Sequence, residues 1–360
     1  MKRFFCVGTY TEPILFGTGE VFHGKGRGIS ICSLEDGRIR VLKEIAVRNP
    51  SYLCIDEAHR KIYSTNEMKD YLGEYGGGIT QLTYDADGEL HVDCTFGTHG
   101  TDPCHVAIAP NKAFVSVANF ADGTVAVFPL DENGNLQPDH TLFRHEGNST
   151  HPVRQRGPHA HSAVFSPIDS FMLVPDLGID RVVAYGYEGS LAFRVEAWDT
   201  PVQAGSGPRF GEFSKDGREF YLINEISSQV THFHCENSML FPRETVSTLP
   251  DDFTGPNICS DLHITPDGRY LYASNRGHDS IACYQIGANG DLQFLQRQPC
   301  GGKTPRNFAI DPLGEFVLVG NQDSDTIVVF KICDNGLLEE RARHAFATPV
   351  CIRFFEQTVF

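Results

Sequence analysis

The stretch Ser260–Leu292, SDLHITPDGRYLYASNRGHDSIACYQIGANGDL, contains the unit from which the rest of the chain is built. A short apolar run leads into Pro-Asp-Gly, a β-branched and aromatic run follows and ends in Asn, and a third run leads to another turn. Runs of about five residues that alternate apolar and polar side chains between turn residues are typical of β-strands. The stretch therefore predicts a unit of short strands joined by tight turns.

The same pattern recurs along the chain. Five further copies start at Asn49, Asp102, Pro158, Gly207 and Thr304. A seventh copy is divided between the termini, because residues 348–355 read as a first strand and residues 4–9, 28–33 and 38–44 as the remaining strands. The copies start about 44 to 56 residues apart, a spacing that suits four-stranded propeller blades with some loop insertions.

A repeat that is divided between the termini closes a circular array without a free sheet edge. No long window shows helical periodicity, and no capping repeats flank the array as an open solenoid would require. We therefore predict an all-β fold, a seven-bladed β-propeller that forms one domain over residues 1–360. We expect it to be closed by pairing of the N-terminal strands with the C-terminal strand.

The charge of the chain limits its partners. The formal net charge is −16, whereas nucleic acids and anionic membranes both require a basic surface. No segment reaches the roughly 18 consecutive apolar residues of a membrane-spanning helix. We expect a small-molecule ligand, no nucleic-acid partner and no membrane partner, and a monomer, since a closed propeller has no edge to cover. Any anion site must be a local cluster of basic residues.

The cysteines indicate the compartment. The chain has 11 of them, an odd number, without a C-x-x-C pair and mostly inside apparent strands. Scattered buried thiols are typical of proteins in a reducing compartment, and the N-terminus lacks the apolar core of a signal peptide. We expect a cytoplasmic protein. The cysteine spacing does not suit zinc, and we expect neither a metal nor a cofactor.

Alignment of the copies predicts rings of residues around the central channel, which the first strand of each blade lines. The first ring, near the start of the first strand, comprises Ser51, Cys104, His161, Arg209, Ser260 and Arg306. The second ring, at the end of the second strand, comprises Asn66, Asn119, Asp176, Asn224, Asn275 and Asn321. The residues that follow the second ring are Glu67, Phe120, Leu177, Glu225, Arg276 and Gln322.

The regular ring and the irregular positions have different interpretations. Asn and Asp at every strand end indicate local backbone hydrogen bonds, a role in the fold. We also treat Asp176, Asn224 and Asn275, which flank the irregular positions, as candidate substrate-binding residues.

The irregular members are the candidate site residues: His161, Arg209, Glu225 and Arg276 as catalytic residues and Arg306 as a substrate-binding residue. Guanidinium groups bind phosphate or carboxylate bidentately, so this set favours an anionic ligand. Two alternatives stay open: Glu225 as one partner of a structural salt bridge, and His161 as an ordinary packed histidine.

Other residues near these positions are weaker candidates for the site. His105 and His159 are close in sequence but out of register with the first ring. Cys104 lies in that ring, and a buried structural thiol is the favoured interpretation over a nucleophile. Residues 69–78 and residues 148–157, around Arg154 and Arg156, are loop insertions that can reshape the channel mouth.

Four segments in a fixed order resemble a known family. They are HAHSAVFSP at 159–167, VPDLGIDRVVAY at 174–185, GPRFGEFSKDGREFYLINE at 207–225 and DLHITPDGRYLYASNRG at 261–277. The chain resembles, over essentially its whole length, the seven-bladed lactonase family of propeller-type 6-phosphogluconolactonases and 3-carboxy-cis,cis-muconate lactonizing enzymes. The muconate branch implies a His, Arg, Glu and Arg site, which by motif falls on His161, Arg209, Glu225 and Arg276.

The resemblance and the residues together predict a lactone hydrolase of the 6-phosphogluconolactonase type. We expect it to open a small anionic substrate, a sugar lactone or sugar phospholactone, in the channel mouth. In this hypothesis Arg209 and Arg276, with Arg306, hold the anionic group and stabilise the oxyanion. Either His161 or Glu225 acts as the general base. A lactonizing isomerase would use the same groups, and a propeller that only binds a ligand or a protein is the alternative from another class. No G-x-S-x-G nucleophile motif occurs.

Overall fold

The structure, a computed structural model, describes residues 2–16, 19–71, 73–189, 192–194 and 198–356. The described residues form strands and turns without a helix, and so contain no helix that could span a membrane. Seven consecutive sheets account for most of these strands, each of four strands except one, which has a fifth. The predicted all-β, seven-bladed propeller is confirmed.

The strands of each sheet are given from the first to the outermost. Blade 1 comprises Pro349–Phe354, Arg3–Thr9, Ile29–Glu35 and Arg38–Ile45; blade 2, Leu53–Asp56, Lys61–Asn66, Gly78–Tyr84 and Leu90–Gly97; blade 3, Pro103–Ile108, Phe114–Asn119, Thr124–Pro129 and Thr141–Arg144. Blade 4 comprises Val164–Phe165, Phe171–Asp176, Arg181–Glu188 and Ala192–Arg194, with Asp199–Pro201 also paired to its third strand. Blade 5 comprises Pro208–Phe213, Glu219–Asn224, Gln229–Glu236 and Met239–Ser247; blade 6, Ile258–Ile264, Tyr270–Arg276, Ser280–Ile286 and Leu292–Pro299; blade 7, Pro305–Ile310, Phe316–Asn321, Thr326–Ile332 and Leu338–Ala345.

Two short hairpins lie outside the blades. One pairs Pro13–Leu15 with Val21–His23 and is inserted between the second and third strands of blade 1. The other pairs Asp70–Tyr71 with Glu74–Tyr75 in the predicted insertion at 69–78, of which residue 72 lies outside the described residues.

The termini meet in blade 1. Its first strand is the C-terminal one, and it pairs antiparallel with the N-terminal strand, for example Phe5 with Phe354 and Val7 with Ile352. Because the two ends of the chain share one sheet, neither leaves a strand unpaired on that side.

The core lies between the blades. Alternating strand residues pack against the facing blade, so each interface between neighbouring blades contains a cluster of buried apolar side chains. At the interface of blades 7 and 1, Phe5 and Val7 pack with Leu318 and Val329. Apolar contact therefore continues around the full circle, and the first strands of the blades surround a central channel.

Candidate active site

The first ring owes its orientation to β-bulges. In blade 5 the register passes from Pro208 opposite Asn224 to Phe210 opposite Ile223, which leaves Arg209 as the extra residue. Cys104 in blade 3 and Arg306 in blade 7 are the extra residues of equivalent register shifts. A bulge bends the strand and turns the extra side chain out of the regular alternation. These shifts explain why the ring residues face the channel.

Blade 4 achieves the same register without a long first strand. Ala160 forms an isolated bridge with Asp176, and the His161 amide donates to the carbonyl oxygen of Pro175 at 3.0 Å. His161 therefore occupies the position that Arg209 occupies in the next blade. Since paired strands are antiparallel, the start of each first strand and the end of each second strand lie at the same end of the channel.

A cavity of about 610 Å³ opens at this end, within the size range of small-molecule sites. All five candidate residues on the irregular positions line it: His161, Arg209, Glu225, Arg276 and Arg306. Further lining residues include Glu67, Asp102, Phe120, Arg154 and Gln322. The cavity therefore brings together side chains from blades 2 to 7. Most of them occupy ring positions that alignment of the copies had identified.

The second ring does not line this cavity among the described residues. Asp176 accepts hydrogen bonds from the amides of His159 (2.7 Å) and Gly178 (2.9 Å). Asn224 donates to Thr231 Oγ1 at 2.9 Å, and Asn275 accepts from Thr248 Oγ1 at 2.7 Å. These buried side chains hold together their own blades and the segments that enter them from the preceding blades. Substrate binding by Asp176, Asn224 and Asn275 stays a prediction, and the geometry favours their role in the fold.

Glu225 is the centre of an arginine cluster. Its Oε1 accepts from Arg154 Nη2 at 2.5 Å, and its Oε2 accepts from Arg276 Nη2 at 2.8 Å. Arg209 Nη1 lies 3.3 Å from the same Oε2. Burial opposes the charged form of Glu225, yet the three guanidinium groups together hold its pKa well below the usual range. Three cations around one carboxylate leave an excess of positive charge.

Arg209 also contacts His161. Its Nη1 donates to Nε2 of the imidazole, and its Nε donates to the carbonyl oxygen of Ser260 at 2.6 Å. Burial, and then the Arg209 charge, lower the pKa of His161 well below its usual value, so the imidazole is neutral at pH 7. Cys104 Sγ lies 3.6 Å from Nδ1 of this ring, and burial raises the pKa of the Cys104 thiol. A protonated, buried thiol fits the structural interpretation of Cys104.

Arg276 and Arg306 differ in how they are held. Burial lowers the pKa of Arg276 to about 9 against the opposing effect of Glu225, and its buried Nε has no partner within the described part of the chain. Arg306 lies over the rings of Tyr10 (5.1 Å) and Phe16 (5.7 Å), and its Nη2 is 3.6 Å from Glu67 Oε1. Both arginines have donors to offer a ligand.

Two contributors were not assigned from the sequence. Arg154 belongs to the predicted insertion at 148–157, and the only signal was a basic pair in a loop of an acidic chain. The hairpin of residues 13–23 supplies Phe16 and Phe22, which line the cavity and stack at 5.7 Å. Its aromatic residues were visible, but no other blade has a counterpart to align with. His105 and His159 are not among the described residues that line the cavity.

A metal site finds no support in the side chains. Among the residues that the structure describes, no group of three or more His, Cys, Asp or Glu side chains is placed to hold a metal ion. The cavity presents arginines, a neutral imidazole and a carboxylate.

Comparisons with known proteins agree with this description. A family model described as "Lactonase, 7-bladed beta-propeller" matches residues 4–354. The 6-phosphogluconolactonase of Bacillus subtilis is 32% identical over 366 residues, which cover 98% of each chain.

Two solved structures have the same architecture. The periplasmic gluconolactonase of Pseudomonas aeruginosa gives a TM-score of 0.89 at 32% identity, with 98% of this chain and 99% of that chain covered. A putative 6-phosphogluconolactonase of Bacteroides fragilis gives a TM-score of 0.88 at 30% identity, with 98% of each chain covered.

Proposed function

The chain belongs to the seven-bladed β-propeller lactonase family and is a lactone hydrolase, and we propose that it opens a sugar lactone of the 6-phosphogluconolactone type in the arginine-lined cavity. The observation that carries the proposal is the cluster of Arg154, Arg209 and Arg276 around a single carboxylate, beside a neutral imidazole. In a chain of net charge −16, this local excess of positive charge is suited to an anion.

The lactone carbonyl becomes more negative during the reaction. Attack of water on the carbonyl carbon places a negative charge on the carbonyl oxygen, and guanidinium donors stabilise that charge in a buried site. Arg276 Nε is a buried donor without a partner among the described residues, and Arg209 projects from a bulge in the neighbouring blade and shares Glu225 with Arg276. Both therefore suit the oxyanion, and afterwards the carboxylate of the product.

His161 is the proposed general base. As the water oxygen bonds to the carbonyl carbon, Nε2 takes one water proton, and Arg209 passes from Nε2 to the carbonyl oxygen. The ring C–O bond then breaks, and the imidazolium returns its proton to the leaving alkoxide, which gives a hydroxy acid. The new carboxyl group releases its own proton to solvent and becomes the carboxylate. Glu225 is less suited to be the base, because both of its oxygens face guanidinium groups.

The cytoplasm is the proposed location. All eleven cysteines are free thiols, and seven of them are buried. Free thiols are typical of a reducing compartment. One similar structure is named a periplasmic protein, so cell fractionation is the direct test of this point.

The test of the function is hydrolysis of freshly prepared 6-phosphogluconolactone, with glucono-δ-lactone and 3-carboxymuconate in parallel, after subtraction of spontaneous opening. We expect turnover well above background on at least one sugar lactone and none on the muconate. Rates equal to background on both lactones would overturn the proposal. Turnover of the muconate alone would identify a lactonizing isomerase instead.

A further inference from the structure

The two sides of the cavity present different chemistry. Blades 4 to 6 supply the imidazole and the arginine cluster described above. The opposite side, from blades 7 and 2 and the loop before blade 3, supplies acceptor oxygens. We call this second group the acceptor arc; it comprises Gln322, Glu67 and Asp102.

Gln322 carries the main observation. It is buried, with 2% of its surface exposed, and its Oε1 has no hydrogen-bond partner within the described part of the chain. Its Nε2 donates to Asp323 Oδ1 at 2.8 Å, which fixes the amide and leaves Oε1 as the open acceptor. A buried acceptor without a partner is costly, and a ligand that donates to it removes that cost.

The other two members also have one anchored oxygen each. One oxygen of Asp102 pairs with Lys69, whereas its buried Oδ1 has no partner among the described residues. Glu67 accepts from the Tyr10 hydroxyl through Oε2 at 2.9 Å, and its Oε1 is 3.6 Å from Arg306, too far for a hydrogen bond. In Gln322 and Asp102 one polar atom is anchored and the other is a buried acceptor without a partner among the described residues, whereas Glu67 Oε1 faces Arg306 as an ion pair.

The open atoms are acceptors, so their partners must be donors. A phosphate at pH 7 offers mainly acceptors and would be repelled by this arc, whereas a hydroxyl group donates. We propose that Gln322, with Asp102 on the same side of the cavity, is the specificity-determining residue that accepts hydrogen bonds from the hydroxyl groups of the lactone. The inference rests on the proposed function and specifies the substrate class as polyhydroxylated lactones.

This arrangement discriminates strongly between lactones that carry hydroxyl groups and lactones that lack them. A site that is built to hydrogen-bond a hydroxyl rejects the analogue that lacks it, because the buried acceptor then stays without a partner. With the carbonyl at the arginine cluster, the hydroxyl-bearing carbons of a six-membered lactone extend toward blades 7 and 2. The cavity thereby orients the ring as well as binding it.

The experiment compares glucono-δ-lactone with δ-valerolactone, a six-membered lactone without hydroxyl groups, in three variants. Gln322→Leu removes the acceptor, Gln322→Asn keeps an amide on a shorter side chain, and Gln293→Leu is the matched control at an exposed position of an outer strand. We expect Gln322→Leu to raise KM for glucono-δ-lactone about tenfold or more, the effect of one buried hydrogen bond. It should lower kcat/KM for δ-valerolactone much less, and Gln322→Asn should retain part of the preference for glucono-δ-lactone.

Calorimetric binding of gluconate and of 5-hydroxypentanoate separates this inference from the proposed function. If the wild type binds gluconate more tightly and Gln322→Leu abolishes that preference, the acceptor role stands even without turnover. Failure of the wild type to open either lactone would contradict only the proposed function. Equal losses on both lactones, or an unchanged preference for gluconate, would overturn the assignment of Gln322.

Discussion

Two rings of residues, one position apart in the sequence, have opposite characters. The ring at the end of the second strands is Asn or Asp in six blades, and its side chains are buried and hydrogen-bonded to their own blade or to the segment that connects it to the preceding blade. The next residue is different in nearly every blade: Glu67, Phe120, Leu177, Glu225, Arg276 and Gln322. Of these, all but Leu177 are among the described residues that line the cavity.

The difference has a physical origin. Every blade must terminate the same pair of strands, so each needs a side chain that can satisfy the backbone there. A substrate is asymmetric, and a cavity at the axis of a circular array becomes selective only when the blades cease to be alike. In this propeller, repetition indicates a requirement of the fold, and departure from repetition indicates chemistry.

The largest effect is expected at Arg209. We expect Arg209→Ala to lower kcat for lactone hydrolysis by about 10² to 10³-fold, the usual effect of removing an oxyanion donor. The fold should survive, because Glu225 keeps Arg154 and Arg276 as partners. Steady-state kinetics on glucono-δ-lactone, with circular dichroism to verify folding, provides the measurement.

Arg269→Ala is the matched control, since Arg269 is exposed and pairs only with nearby Asp267 among its charged neighbours in the described chain. It should keep wild-type kcat. A folded Arg209→Ala variant with unchanged kcat would remove Arg209 from the mechanism and weaken the distinction between regular and irregular positions.

A smaller effect is expected in the pH profile, where kcat/KM should fall about tenfold per pH unit along the acid limb. The proposed base is active when neutral, and burial and Arg209 lower the pKa of His161, so activity persists into mildly acidic solution. The acid limb of log kcat/KM should have its midpoint below pH 6.5, the ordinary value for histidine. The profile should be recorded between pH 4 and pH 8 with the spontaneous rate subtracted.

Two variants identify the group that titrates. His161→Gln should abolish the acid limb along with most of the activity. Glu225→Gln should shift the limb to lower pH, because the Glu225 charge raises the pKa of His161. A wild-type acid limb that Glu225→Gln abolishes and His161→Gln preserves would assign the base to Glu225.

Alignment of the copies located those candidate site residues that lie at equivalent positions of the blades. His161, Arg209, Glu225, Arg276 and Arg306 sit at fixed offsets from turns, so alignment of the copies was enough to place them at one end of the channel. Alignment alone does not show the direction in which a side chain points. Asp176 is adjacent in the chain to a position that lines the cavity in other blades, but its carboxylate is hydrogen-bonded to the amides of His159 and Gly178 and to His145.

The remaining residues of the candidate site lie in insertions that have no counterpart in the other blades. Arg154 reaches Glu225 from a loop that only one blade has, and Phe16 comes from a hairpin inserted into the divided blade. The path of such insertions depends on tertiary packing, which a periodic pattern does not encode. That residues 1–360 form one domain and that the protein is a monomer stay predictions.

The most direct test of the account uses Asn275 and Arg276, which are adjacent in the chain. Asn275→Ala and Arg276→Ala should be compared by kcat/KM on glucono-δ-lactone and by melting temperature. We expect Asn275→Ala to cost about 1–3 kcal/mol of stability, because it removes the buried hydrogen bonds of Asn275 to Thr248 and Ser280. It should keep kcat/KM near the wild-type value. Arg276→Ala should lower kcat/KM at least tenfold and change the melting temperature little. The opposite pattern, with activity lost at Asn275 and kept at Arg276, would contradict the separation of fold and chemistry between the two rings.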